Sequence, residues 1–259
     1  MPDSNLIFHV PHSSTVIPDS YRSHFSLDDD QLLEEIRLMT DWHTAELFGA
    51  AKETHGSSVE FPVSRLLVDP ERFPDDGQEC MAAVGMGALY IKTSHGKELR
   101  LQKYTSDEHR SCLLDEFYFP HHEAFHKKVE DELNRNGSAL IIDCHSFPNR
   151  PLPYENDQNP DRPDICIGTD NFHTPNELSR RLKTEFSEKG YSVKLNSPFS
   201  GAIVPQQFYL ANSAVKSVMI EVNRGLYMNE ETTEKKSAFS NVRRDIASVL
   251  VKNLVKCRN

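Results

Sequence analysis

The residues with the most chemistry in this chain stand where apolar runs end. Ala139-Leu140-Ile141-Ile142 runs into Asp143-Cys144-His145-Ser146, and Phe147-Pro148 breaks the run. An apolar run that follows Asn136-Gly137 predicts a buried strand. In open α/β sheets, ligands bind just beyond the carboxyl ends of strands, where Asp143, His145 and Ser146 would stand. His145 is a candidate metal ligand, and a nearby acid could orient its second ring nitrogen. The plainer reading of the same residues is a strand end with ordinary turn residues. The pattern recurs at Asn5-Leu6-Ile7-Phe8-His9-Val10, which predicts a first strand and ends in Pro11-His12-Ser13-Ser14. It recurs again at 216–222, an apolar run interrupted by Glu221 and followed by Asn223-Arg224-Gly225. A glutamate in such a strand is costly to bury unless it is paired or catalytic. The alternative is an acid facing outward at a sheet edge.

Separated His, Asp or Glu, and His, with a further Glu, match the parts of a hydrolytic zinc site. Three protein ligands leave one position for water. The metal lowers the pKa of that water and polarises the carbonyl under attack, and the further Glu takes and returns protons. The compact zinc motif H-E-x-x-H is absent. Arg65 and Arg72 flank Leu66-Leu67-Val68. Each reads singly as a solvated turn residue, and together they could form a carboxylate fork, which arginine geometry suits. Asp41 sits at a helix start, where a capping role is its ordinary one. Cys144 and His145 are neighbours on a strand and point to opposite faces, which argues against a cysteine–histidine dyad and for Cys144 as a small buried residue.

The elements that must position these groups alternate along the chain. Residues 28–39 predict a helix with acids in its first turn, and 42–54 a second, closed by Gly56. Residues 57–63 and 66–68 look extended, 73–88 read as a loop, and 88–93 as a possible short strand. Residues 107–134 are helical by pattern, with Pro120 expected to break or kink them. Residues 149–162, rich in Pro, Asn and Asp, are long enough for a functional loop or lid. Strands at 164–168 and 191–195, a helix at 175–189 and a final amphipathic helix at 233–256 complete the series. This alternation predicts an α/β fold with a mixed, mostly parallel sheet.

The totals narrow the function. The chain has 259 residues, 37% of them apolar, and a net charge of −10. It can build a sizeable core, and its charge disfavours nucleic acid as a partner. An anionic small substrate would need a local cluster of arginines. Five cysteines without a C-x-x-C pair fit a reducing compartment. No signal peptide is visible in Met1-Pro2-Asp3-Ser4-Asn5, and no apolar run approaches the roughly 20 residues of a membrane span. A cytoplasmic protein that does not enter a membrane is expected.

The chain resembles the N-formylglutamate amidohydrolase family. The matching pieces are Val10-Pro11-His12-Ser13, Asp41-Trp42-His43, Ser64-Arg65, Val68-Asp69 with Arg72, Asp143-Cys144-His145-Ser146, Pro198-Phe199-Ser200-Gly201 and Ile220-Glu221-Val222-Asn223-Arg224. They span nearly the whole chain in the family's order, so one domain over 1–259 is expected. The resemblance implies a zinc carboxypeptidase-like fold, a mixed sheet sandwiched by helices. It implies one zinc ion and hydrolysis of an N-acyl acidic amino acid, such as N-formyl-L-glutamate to formate and glutamate. His12 and His145 match the metal-binding histidines and Asp41 the third ligand. His9 and His43 are the reserve ligands and His122 a candidate behind the metal, with a surface histidine the ordinary reading of His43 and His122. Glu221 matches the general base. Arg65 and Arg72 match arginines that hold substrate carboxylates or the oxyanion, and Ser146, Ser200, Gly201, Asn223 and Arg224 fall in substrate-binding positions. Two residues depart from the pattern: Ser14 stands where the family usually has Gly, and Glu71 where it often has Asn. The rivals are a hydrolase of another N-acyl amino acid or peptide and a non-catalytic ligand-binding protein.

Overall fold

In the computed structural model, which describes residues 6–256, the three apolar runs are neighbouring strands of one sheet. β1 (Leu6–Val10) pairs in parallel with β2 (Gly56–Glu60) on one side and with β3 (Ala139–Phe147) on the other. β3 pairs in parallel with β6 (Val215–Asn223) along its whole length. β4 (Ile165–Gly168) runs antiparallel to β6, and β5 (Val193–Leu195) follows β4, giving six strands in the order β2-β1-β3-β6-β4-β5. The sheet is therefore mixed and mostly parallel. Asn5 of the expected first strand lies outside the described residues, as does the rest of the N-terminal pentapeptide.

Strand alternation sorts the residues by face. Leu140, Ile142 and Cys144 share an apolar cluster with Leu6, Phe8, Val218, Ile220 and Val222. Helices α4 (Gly49–His55), α7 (Asn176–Glu188) and α8 (Phe239–Lys256) lie on this side, with Leu182, Phe186, Ile246 and Leu250 buried. Ile7 and Ile141 face the other way, onto Phe125 and Val129 of α6 (Phe119–Asn136). His9, Asp143, His145 and Glu221 are on this second face, at its carboxyl end. A third apolar cluster joins α2 (Asp29–Met39) to residues 61–68, 86–90 and 113–118; it backs the loop that carries Arg65 and Arg72.

Several expected elements differ in form. The helix expected over 42–54 is split into α3 (Thr44–Leu47) and α4, and it begins after His43, whose φ is +64°. A short α1 (Asp19–Arg22) precedes α2, whose Asp28 and Gln31 form a reciprocal cap. Residues 65–67 form a turn and 66–68 make no strand, and 88–93 make only isolated bridges. Pro120 neither breaks nor ends its helix. α5 (Asp107–Leu113) passes through a π-helical stretch, Leu114–Tyr118, into α6; the wider turn accommodates a proline that has no N–H and crowds the preceding carbonyl. The last helix starts at Phe239, six residues later than expected, and the Leu254 side chain lies outside the described residues.

The far edge of the sheet is tightly fitted against the loop that follows β5. A Cβ on Gly168 would lie 2.4 Å from the Gly201 carbonyl oxygen and 2.3 Å from Met219 Cε. Gly168→Ala should therefore destabilise by about 1–3 kcal/mol, the usual cost of overpacking, read as a lower melting temperature. An unchanged melting temperature would mean that β4 and this loop do not make the contact.

Candidate metal centre and active site

Parallel pairing sets the first distances. The register places His145 beside Glu221 on β3 and β6, and His9 beside Asp143 on β1 and β3. His12 follows β1, and its backbone carbonyl accepts a hydrogen bond from the Asp41 N–H at 2.9 Å. That bond brings the start of α3 against the strand end. Asp41 is not a side-chain cap: its Oδ2 lies 3.1 Å from His145 Nδ1 and 3.8 Å from His12 Nδ1. The remote nitrogen of each ring is held by another carboxylate. His12 Nε2 lies 2.9 Å from Asp69 Oδ1, and His145 Nε2 lies 3.1 Å from Asp143 Oδ1 and 3.0 Å from Glu71 Oε2. His12 Nδ1 is buried without a hydrogen-bond partner. This is the arrangement of metal-ligating histidines, with one nitrogen fixed by an acid and the other presented inward.

Charges explain why the cluster is stable only as a set. Burial opposes the charge of Asp41, yet His12, His145 and Arg224 hold its carboxyl well below the usual carboxylate range. Burial likewise opposes Asp69, which Arg65, His12 and Arg72 hold low. Burial should strip the proton from His145, but Glu71, Asp143 and Asp41 raise it far above an ordinary histidine. The same buried carboxylates, Asp41, Asp143 and Glu71, that face His145 would attract a cation. Imidazoles and a carboxylate are donors that suit zinc. His12, Glu71 and His145 also bring one ligand atom each within 4.8 Å of one another, Glu71 meeting the His145 ring on its Nε2 side.

Glu221 is 7% exposed and its Oε2 has no partner. Burial pushes its carboxyl up to about 8; His145 opposes, while Asp41, Asp143 and Glu71 add to the rise. The arginines divide by how far their donors are committed. Arg224 spends its guanidinium on Asp41 Oδ1 at 3.0 Å, Ser146 Oγ and carbonyl at 3.2 Å and the Leu38 carbonyl. Arg65 donates to Asp69 Oδ2 at 2.8 Å and to the Tyr90 hydroxyl at 3.1 Å. Arg72 is 3.9 Å from Asp69 Oδ2 and its Nε has no partner; it is the freest donor for an anion.

Other expected site residues are placed differently. Ser146 N donates to Asp41 Oδ2 at 3.2 Å and its hydroxyl serves Arg224. Asn223 Nδ2 donates to Asn149 and to the Pro163 carbonyl, and its Oδ1 accepts from Gly225 N–H. Ser200 is exposed and Gly201 half-buried, in the loop whose Ile203 N–H reaches Asp143 Oδ2 at 3.4 Å. His43 is 2.8 Å from the Thr233 carbonyl, outside the cluster, and His122 holds the Pro70 carbonyl at 2.8 Å behind the Asp69–Arg72 loop. The residues that sequence reasoning left without a role are Asp69, Glu71 and Tyr154. Asp69 and Glu71 stand beside the arginine pair; their signals were that position, the match of Val68-Asp69 to the family pattern and the departure of Glu71 from it. A cavity of about 560 Å³ shares Asn223 with the site but not His12, Glu71 or His145.

Loop 149–162 folds over this region. Arg162 is paired with Glu155, both almost fully buried, and its guanidinium lies 5.6 Å from the Phe147 ring and 5.7 Å from that of Phe199. The loop carries Tyr154 into the field of Arg65, Arg72 and Arg224; burial pushes its phenol up to about 12 while these arginines pull it down.

Known proteins resemble this chain in sequence and in fold. A family model described as N-formylglutamate amidohydrolase matches residues 4–228. An N-formylglutamate deformylase of Pseudomonas putida is 28% identical over 230 residues, covering 87% of this chain and 82% of its own. A protein of the same name from Pseudomonas aeruginosa is 28% identical over 235 residues, covering 87% and 83%. In fold, the crystal structure of N-formylglutamate amidohydrolase from Ralstonia eutropha is similar, with a TM-score of 0.85, 23% identity and coverage of 98% of this chain and 94% of that one. A gene product of Agrobacterium tumefaciens has a TM-score of 0.74 at 18% identity, with coverage of 99% and 92%.

The buried pair in loop 149–162 gives a direct test of what holds it closed. Glu155→Gln leaves the Arg162 charge buried without a carboxylate, and losing one partner of a buried pair costs about 3–5 kcal/mol. Hydrogen exchange of 149–162 should speed up while the strands keep their protection. Unchanged exchange in the loop would show that the pair is not its fastening.

Proposed function

The chain belongs to the N-formylglutamate amidohydrolase family, and we propose that it hydrolyses the amide of an N-formyl acidic amino acid, N-formyl-L-glutamate first, with one zinc ion. The observation that carries this reading is the convergence of His12 Nδ1, Asp41 Oδ2 and His145 Nδ1 beside Glu221. The unpartnered His12 Nδ1 and the carboxylates on both remote nitrogens fit a metal there. The names of the curated relatives support the substrate. Four cysteines, Cys80, Cys112, Cys144 and Cys166, are free among the described residues, which supports a cytoplasmic setting. No helix among the described residues is long and apolar enough to cross a membrane. We take 1–259 as a single domain.

Zinc held by His12, Asp41 and His145 would supply Lewis acidity, activating water and polarising the formyl carbonyl. Arg72 has donors to spare for a substrate carboxylate, and the local arginines gather an anion on a protein of net charge −10. Arg65, fastened by Asp69 and Tyr90, is positioned for the oxygen that gains charge as the carbonyl is attacked. Glu221 Oε2 takes a proton from the attacking water and returns it to the amide nitrogen as the C–N bond breaks, leaving formate and the free amino acid. Burial and the neighbouring acids raise the Glu221 carboxyl; the positive charge of a bound zinc would lower it toward the ionised form that accepts a proton.

Glu221→Gln should keep zinc and fold while kcat falls by about 10²–10⁴, as for lost acid–base catalysis; Asp41→Asn should lose zinc first. Near-normal turnover in Glu221→Gln would overturn the role of the base. Arg72→Lys keeps charge but not the fork. In a panel of N-acyl amino acids it should lower kcat/KM for acidic substrates only, and an unchanged preference for acidic over neutral substrates would remove Arg72 from recognition.

A further inference from the structure

A second set of metal-ligating atoms lies on the Nε2 side of the His145 ring. His9 Nδ1 is 3.0 Å from Asp143 Oδ1 and 3.3 Å from Glu71 Oε1. These three side chains bring one ligand atom each within 4.8 Å of one another, with side-chain exposures of 0% for His9, 2% for Asp143 and 14% for Glu71. The set is held from outside as a metal site is. His9 Nε2 lies 3.0 Å from His121 Nε2, its ring stacks on Phe125 at 4.6 Å, and Asp143 Oδ2 accepts from Ile203 N–H. The His9 ring is thereby fixed with Nδ1 inward.

The charge balance points the same way. Among the described residues, the ion pairs of Asp143 and Glu71 are with His9 and His145 only, and neither acid has an arginine or lysine partner. On the reading proposed above, His145 ligates the catalytic ion, and a ligating imidazole is neutral. It then gives these acids a hydrogen bond from Nε2 but no charge. His9 alone would face two buried carboxylates, which is a costly arrangement. We infer that His9, Glu71 and Asp143 bind a second divalent transition-metal cation next to the catalytic one, with His145 joining the two sites. One imidazole and two carboxylates suit zinc. The second ion offsets Glu71 and Asp143 and, through Asp143 and Glu71, fixes the orientation of His145.

The test is metal counting on the whole chain, stripped with a chelator, reloaded with Zn²⁺, desalted and measured by mass spectrometry. The parent protein should hold two equivalents. Glu71→Gln and His9→Asn should each hold one, with circular dichroism showing that they are folded. His12→Ala should also hold one, and His9→Asn combined with His12→Ala none. A single equivalent in the parent, or two retained in both Glu71→Gln and His9→Asn, overturns the inference. If that single equivalent is lost in His12→Ala, the catalytic reading stands without the second ion. Two equivalents retained in His12→Ala would instead remove the catalytic assignment.

Discussion

Asp41, Asp69, Glu71, Asp143 and Glu221 are gathered at one end of the sheet, each at least mostly buried, and the structure depends on how that negative charge is answered. Isolated carboxylates would not stay ionised in such a place. Each is met by something particular: Asp41 by Arg224 and His145, Asp69 by Arg65 and His12, Asp143 and Glu71 by His9 and His145. Glu221 is the least answered, and it is the one whose carboxyl is pushed upward. A base needs that kind of unspent capacity, while an orienting acid needs the opposite.

The sheet makes this gathering possible because its neighbouring strands β1, β3 and β6 are parallel, so their carboxyl ends lie at one edge. The apolar residues of the same strands supply the driving force. Each fully buried Leu, Ile, Val or Phe contributes about 1.5–3 kcal/mol, and a run such as Leu140, Ile141, Ile142 offsets the cost of a charged strand end. The irregular segments are held by polar bonds instead. Arg100, 1% exposed, donates to the carbonyls of Leu66, Leu67 and Tyr90, and His122 holds Pro70. The loop bearing Arg65, Asp69, Glu71 and Arg72 is thus rigid without being a helix or strand.

That rigidity separates two kinds of arginine. Arg224 has given all its donors to the protein and acts as a fixed positive wall, whereas Arg65 is held through Nε and one terminal nitrogen and Arg72 keeps an unpartnered Nε. Buried donors already satisfied gain little from a ligand, and unsatisfied ones gain the most.

Much of the fold was legible locally. Apolar runs bounded by Gly, Pro and Asn marked β1, β3 and β6, acids in the first turn marked α2, and the amphipathic period marked α8, because burial on one face leaves a repeat in neighbouring residues. Glu221 and His145 stood out for the same reason, as polar residues at the ends of runs that should be apolar. Other features left no local trace. Asp41 reads as a cap, and only the fold carries it to His145, 104 residues away. The π-helical stretch before Pro120 left no mark in the pattern, and the turn at 65–67 was read in part as extended, because propensity and pattern do not include the tertiary packing that selects the backbone there. His9 and Asp143, 134 residues apart, meet because β1 and β3 are neighbours in register. The amino-acid sequence by itself therefore determined the core strands β1, β3 and β6, the principal helices and the polar residues that end those strands. Only the tertiary structure decided which charged groups face one another, since strand order and register are set by contacts between distant parts of the chain.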